Sequence, residues 1–208
     1  TLRREFKSVV SEYEKIRLQI DASQDDIPKK LLEKEIILRD KASGFVGDLP
    51  VIVGDIISFP VFQIHSLRHG IKVVEFQTPH YERLILMFAQ KVLTQNHWDT
   101  ENAINKMEIE VYHPPKLDCI HNSKYLIVER FTDFPQFNFD RICLEPNNTY
   151  EIQLDGRYQL LIIISGIAAV VSNTGKSIKL KKEESLFLPV SMGCYKIESI
   201  GQNHLICL

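Results

Sequence analysis

From Arg141 to Leu208 the chain reads as eight short apolar runs separated by turn-forming residues, and no other feature limits its fold so closely. The runs cover residues 141–144, 149–153, 158–165, 167–172, 177–180, 184–189, 193–199 and 204–208. Asn147-Asn148, Asp155-Gly156 and Asn173-Thr174-Gly175 stand between them. Asn, Asp and Gly tolerate the backbone angles of tight turns. Runs this short are strands rather than helices, and strands that bury one face need a second layer to cover it. Eight such strands at this spacing suit a double-sheet jelly roll.

The N-terminal part has a different period. Phe6, Val9, Val10, Tyr13, Ile16 and Ile20 recur at three- and four-residue steps, which predicts an amphipathic helix over residues 2–21. Ser23-Gln24-Asp25-Asp26 ends it. Pro28 opens a second helix over 28–40, with Leu31, Leu32 and Ile36 as its apolar stripe. From Leu49 short apolar runs return, and strands are expected at 51–53, 56–59, 72–77 and 83–88. Asp99-Thr100-Glu101 caps a short helix over 102–107. Residues 113–140, rich in Pro and aromatics, read as a long connection holding one strand, 124–131. The expected organisation is thus a helical segment (1–46), part of one barrel (47–112), a connection (113–140) and a second barrel (141–208).

The chain has 208 residues and a formal net charge of −2, which leaves no basic footprint for nucleic acid or an anionic membrane. The longest apolar run, Leu160 to Val171, is interrupted by Ser165-Gly166 and is too short to span a bilayer. The four cysteines, at 119, 143, 194 and 207, form no C-x-x-C pair. They read as reduced thiols, and so as a cytoplasmic protein. The first residue, Thr1, falls inside a helical pattern, so further sequence is expected upstream.

The stretch that carries chemistry is Gly54-Asp55-Ile56-Ile57-Ser58-Phe59-Pro60, followed by Val61-Phe62-Gln63-Ile64-His65. A glycine, five residues, a proline, and a histidine five further on resemble the second sequence motif of the cupins, small jelly-roll barrels. That resemblance implies a histidine pointing into a barrel and binding a metal. Beyond it lie Leu67, Gly70-Ile71, Val74, Glu75 and Gln77, with Arg83 shortly after. Together they resemble the type I phosphomannose isomerases, which are zinc-dependent sugar-phosphate isomerases. The likeness is strongest over residues 50–90. One departure stands out: where the family has Ser-Asp-x-x-Tyr-Arg, this chain has Pro79-His80-Tyr81-Glu82-Arg83.

The resemblance implies a two-lobed, mainly β cupin fold with N-terminal helices. It implies an aldose–ketose isomerase of the mannose-6-phosphate/fructose-6-phosphate type. His65 would be a zinc ligand, Glu75 and Arg83 catalytic, and Gln77 and Arg83 in contact with the sugar phosphate. Zinc would polarise substrate oxygens, a carboxylate would move the proton between C1 and C2, and an arginine would meet the developing negative charge. The residues alone leave plainer roles open: a hydrogen-bonded His65, a surface Glu75, an Arg83 paired with Glu82. Gln63-Ile64-His65 imitates a Gln-x-His ligand pair at the wrong motif, while His69 and His80 match nothing in the family. His97, His113, His121 and His204 read as structural or exposed.

A faded copy of the motif recurs near the C terminus. Setting Pro189 against Pro60 puts Glu183 at the place of Gly54 and Cys194 at that of His65, and no histidine lies between residues 122 and 203. The second barrel is therefore expected to be metal-free. A catalytic zinc takes about three protein ligands, and the family's Gln-x-His pair and glutamate have no counterpart before Gly54. Either those ligands lie on an absent N-terminal segment that pairs with this one, or the chain is a non-catalytic cupin that binds a sugar phosphate or a protein partner. An uncovered sheet edge invites such pairing, or a homo-oligomer. A dioxygenase or epimerase cupin fits less well, since neither a two-histidine-one-carboxylate set nor a histidine base is visible.

Overall fold

Leu2–Ala22 forms the first helix (α1), and its apolar stripe buries Phe6, Val10, Tyr13, Ile16 and Ile20. This is described in a computed structural model that covers residues 2–23, 26–77, 83–86, 97–133 and 135–208. Lys29–Ser43 forms the second helix (α2), entered through Pro28 at φ −56°. Its inward residues are Glu35, Leu38 and Ala42, whereas Leu32 and Ile36 of the expected stripe are 40% and 45% exposed. The stripe is displaced because Tyr13 offers the second helix a polar contact. The Tyr13 hydroxyl donates to Glu35 Oε1 at 2.9 Å, which makes the buried carboxylate tolerable. Thr100–Lys106 forms α3 and buries Ile104 completely.

The chain divides into two compact units. The first runs to Pro50 and resumes from Phe59 to Tyr112; the second comprises Val51–Ser58 and His113–Leu208. In the first unit Phe6, Val10, Ala42, Ile104 and Met107 make one apolar cluster, and Tyr13, Ile16, Ile20 and Leu38 make another.

The second unit holds the strands. They are β1 (Asp118–Asn122), β2 (Leu126–Asp133), β3 (Asn138–Leu144), β4 (Thr149–Gln153) and β5 (Gln159–Ser165). Then come β6 (Ile167–Ser172), β7 (Ser177–Lys181), β8 (Ser185–Leu188), β9 (Cys194–Ser199) and β10 (Leu205–Cys207). One sheet has the order β1-β2-β3-β10-β5-β8 and the other β4-β9-β6-β7. Every pairing is antiparallel. Leu144, Ile163, Ala168, Leu188, Ile197 and Leu205 fill a single core, each at most 1% exposed. The eight expected runs all became strands, β3 to β10, with ends moved by a residue or a few.

Two expectations need correction. Residues 113–140 are not mainly a connection: they supply β1, all of β2 and the start of β3. Asp118–Asn122 is exposed throughout and carries no apolar alternation, so only its pairing with β2 reveals it. Conversely, the strands expected at 51–53, 56–59 and 72–77 are not strands, nor are residues 83–86. Residues 87 and 88 lie outside the described residues. A strand exists by its ladder, and among the described residues the only bridge in this stretch joins Gln63 to Glu108. No helix of the described residues is long and apolar enough to cross a membrane. The four cysteines are free thiols, Cys119 exposed and Cys207 buried.

Candidate functional site

The motif begins with a turn whose chemistry is visible atom by atom. Asp55 N–H donates to the Ile52 carbonyl at 3.2 Å, and Asp55 Oδ2 accepts from Ile52 N–H at 2.8 Å. Gly54, at φ 95°, takes the left-handed position that this turn requires. The C-terminal copy repeats the pattern. Glu184 N–H donates to Lys181 O at 3.0 Å, and Glu184 Oε2 accepts from Lys181 N–H at 2.9 Å. Glu183 stands at φ 71° in the glycine's place. After each proline a second turn follows, Gln63 N–H to Pro60 O at 3.1 Å and Met192 N–H to Pro189 O at 3.0 Å. The two stretches therefore share hydrogen bonds as well as spacing.

His65 is exposed, and its ring stacks on Phe59 with centroids 4.0 Å apart and planes 9° from parallel. Its Nδ1 lies 2.9 Å from the Gln63 carbonyl oxygen. A carbonyl can only accept, so Nδ1 carries the proton and, in the neutral ring, the lone pair is on Nε2. A metal-binding imidazole is commonly oriented by such a bond on its other nitrogen. Beside it, Gln63 Oε1 is buried and has no hydrogen-bond partner, a costly state for an amide oxygen.

Glu75 and Gln77 are exposed in a segment without secondary structure, and Arg83 is exposed as well. Pro79, His80, Tyr81 and Glu82, where the chain departs from the family pattern, lie outside the described residues. His69, His113 and His121 are exposed; His97 faces Asp99 at 3.5 Å and His204 faces Glu145 at 3.2 Å. Among the described residues no group of three or more His, Cys, Asp and Glu side chains is arranged to hold a metal ion. His65 offers one imidazole and Gln63 one orphaned oxygen. By themselves the described residues do not fit a catalytic zinc.

In the second copy the place of His65 is taken by Cys194. Cys194 starts β9 opposite Gln153 and is only half-buried. Its neighbour Tyr195 enters the core instead, 2% exposed, and donates its hydroxyl to Gln159 Oε1 at 2.7 Å. Burial raises the Tyr195 phenol well above its ordinary range, with Cys207 and Tyr150 adding to the shift. Leu161, Ile163, Ile197, Leu205 and Cys207 pack in the same core. Sequence reading missed Tyr195 and Gln159 because neither falls on a motif position.

No family model matches the chain, and no curated protein matches it. Solved structures do. The plu4264 protein from Photorhabdus luminescens is similar at 15% identity over 47% of this chain and 83% of its own, with a TM-score of 0.37. Ectoine synthase from P. lautus is similar at 14% identity over 43% of this chain and 66% of its own, TM-score 0.37. The mannose 6-phosphate isomerase from Bacillus subtilis is similar at 18% identity over 54% of this chain, TM-score 0.41, and only 34% of its length is covered. Likenesses this distant assign no activity. The fold rests on the sheet order above: a mainly β, cupin-type jelly roll with N-terminal helices.

Proposed function

We propose that this chain carries part of a sugar-phosphate aldose–ketose isomerase site, of the mannose-6-phosphate/fructose-6-phosphate type. One observation supports it most: the Gln63 carbonyl holds the His65 imidazole with its proton on Nδ1 and Nε2 left to bind. In this reading His65 is one zinc ligand, and the others come from a paired N-terminal segment. Bound zinc would supply polarisation of the substrate oxygens. Glu75 moves the proton between C1 and C2, which a carboxylate at hydrogen-bond reach of both carbons can do. Arg83 and Gln77 bind the sugar phosphate, and the guanidinium also meets the negative charge of the enediolate. The location that goes with an exposed free Cys119 thiol is the reducing cytoplasm.

The test is zinc per chain by elemental mass spectrometry, with turnover of mannose 6-phosphate, on the longest open reading frame that contains this chain. We expect about one zinc per chain, lost in His65→Ala, and turnover cut at least about a hundredfold in Arg83→Ala with zinc retained. Wild-type zinc and wild-type turnover in both variants would sink the assigned roles.

A second reading, a non-catalytic cupin that binds a sugar phosphate or a protein partner, is favoured by exposed apolar side chains in the motif-bearing stretch. Val61, Leu67 and Val73 are 76%, 50% and 52% exposed. Such a surface suits a partner segment or a second copy of the chain.

A further inference from the structure

β7 and β8 follow one another in the chain, yet β7 is an edge of the four-stranded sheet and β8 an edge of the six-stranded one. Residues 182–184 join them in a tight turn, where Glu184 N–H donates to Lys181 O at 3.0 Å. Away from that turn the two strands part around a cavity of about 370 Å³, inside the second unit. Val170, Ile178, Leu186 and Met192 give it apolar walls, and Lys176 and Ser177 line it too. Ile178 and Leu180 point to the same face of β7. Leu180 is 5% exposed and Ile178 47%, so the jelly roll is shut beside the turn and open at the cavity.

The register of β7 shows what its free edge offers. Ser172 N–H donates to the Lys176 carbonyl at 2.8 Å, and Ile178 and Leu180 stand opposite Val170 and Ala168. Hydrogen-bonded residues alternate along an antiparallel pair. Lys176, Ile178 and Leu180 therefore bond to β6, while Ser177 and Lys179 turn their N–H and C=O groups outward. Lys181, next in that series, is met locally, its N–H donating to Glu184 Oε2 at 2.9 Å. Among the described residues no strand pairs with the edge at Ser177 and Lys179. The edge is also basic. Lys176, Lys179, Lys181 and Lys182 crowd residues 176–182 of a chain whose net charge is −2. Lys181 faces Glu184 at 3.9 Å, and among the described residues no carboxylate is set against the other three. Lysines keep two edges of the same kind from pairing. They reject a second copy of this edge and admit a strand of opposite charge.

We propose that the β7 edge takes an extended segment of a partner protein as an added strand, with apolar side chains alternating with acidic ones. Its backbone continues the ladder at Ser177 and Lys179. Its apolar side chains enter the cavity over Ile178 and Leu186, and its carboxylates, on the opposite face, stand beside Lys179. The inference stands on the second unit alone and is independent of the isomerase reading.

The probe is a fluorescein-labelled peptide, Val-Glu-Val-Glu-Val-Glu-Val, added to the whole chain, with Val-Lys-Val-Lys-Val-Lys-Val as its control. Anisotropy should show binding of the first and not of the second. In the saturated complex, exchange of the Ser177 and Lys179 amides should slow at least about tenfold, while Ile178 and Leu180, already bonded to β6, stay unchanged. Lys179→Pro removes an edge N–H and no bond to β6, so it should weaken binding at least about tenfold. Lys179→Glu sets like charges against the peptide and should weaken it severalfold. If Lys179→Pro does not fold, the exchange result on the unmutated chain decides. No binding, or equal binding of the lysine peptide, would overturn the proposal. Binding with unchanged exchange at Ser177 and Lys179 would overturn the added strand and leave only charge attraction. Self-association of the unmutated chain that Lys179→Pro abolishes would make a second copy the occupant and overturn the partner segment.

Discussion

Gly166 joins β5 to β6 at φ 85°, and a Cβ there would stand 2.8 Å from the His204 carbonyl oxygen and 3.0 Å from Leu205 Cα. Both neighbours are backbone, so neither can rotate away. Gly166→Ala combines a disfavoured backbone angle with that clash and should destabilise the jelly roll by roughly 2 kcal/mol or more. Chemical denaturation checks it; an unchanged midpoint would mean that the turn relaxes. At this scale the sequence is partly readable. Gly54 and Asp55 are turn-forming residue types, and a turn is where the structure uses them. The Tyr195–Gln159 bond was not readable, because two polar residues 36 positions apart meet only when β5 and β9 face each other in the core.

Among the elements, β10 shows how much a short strand can carry. Its three residues, Leu205–Cys207, join β3 to β5 in the middle of the six-stranded sheet. Cys207 is fully buried there, and burial, with Cys143 nearby, pushes its thiol from an ordinary 9.0 up to about 12. The folded thiol stays neutral where the unfolded one ionises. Its stabilising contribution is therefore complete below pH 9.0 and is lost as pH rises toward 12. Unfolding free energy should fall through that window, and the fall should be shallower in Cys207→Ala. Equal slopes for the two proteins would assign the alkaline loss to the tyrosines. The helices were readable because their periodicity needs no partner. The strands expected at 51–53, 56–59 and 72–77 were misread because a β pattern states only what a segment would bury, not whether a neighbour is there to pair with it.

For the molecule as a whole, the division into two units places Val51–Ser58 with the jelly roll although it is far from it in sequence. A fragment of residues 113–208 retains every strand of the described residues but loses Gly54 as a partner of Arg141. It should give a β-rich circular dichroism spectrum and melt several degrees below the β unit of the full chain, as the loss of about 1 kcal/mol predicts for a domain this size. An unfolded fragment would show that the jelly roll needs Val51–Ser58 for its stability. The sequence by itself determined the helices, the eight runs from Arg141 onward and the turns between them. Each of those depends on local periodicity and on backbone angles that few residues allow. Only the tertiary structure decided that the exposed β1 is a strand, that Glu35 is buried, that Tyr195 enters the jelly-roll core and that Arg141 grips Gly54. Those outcomes depend on partners brought together from distant parts of the chain, and no local pattern records which groups will meet.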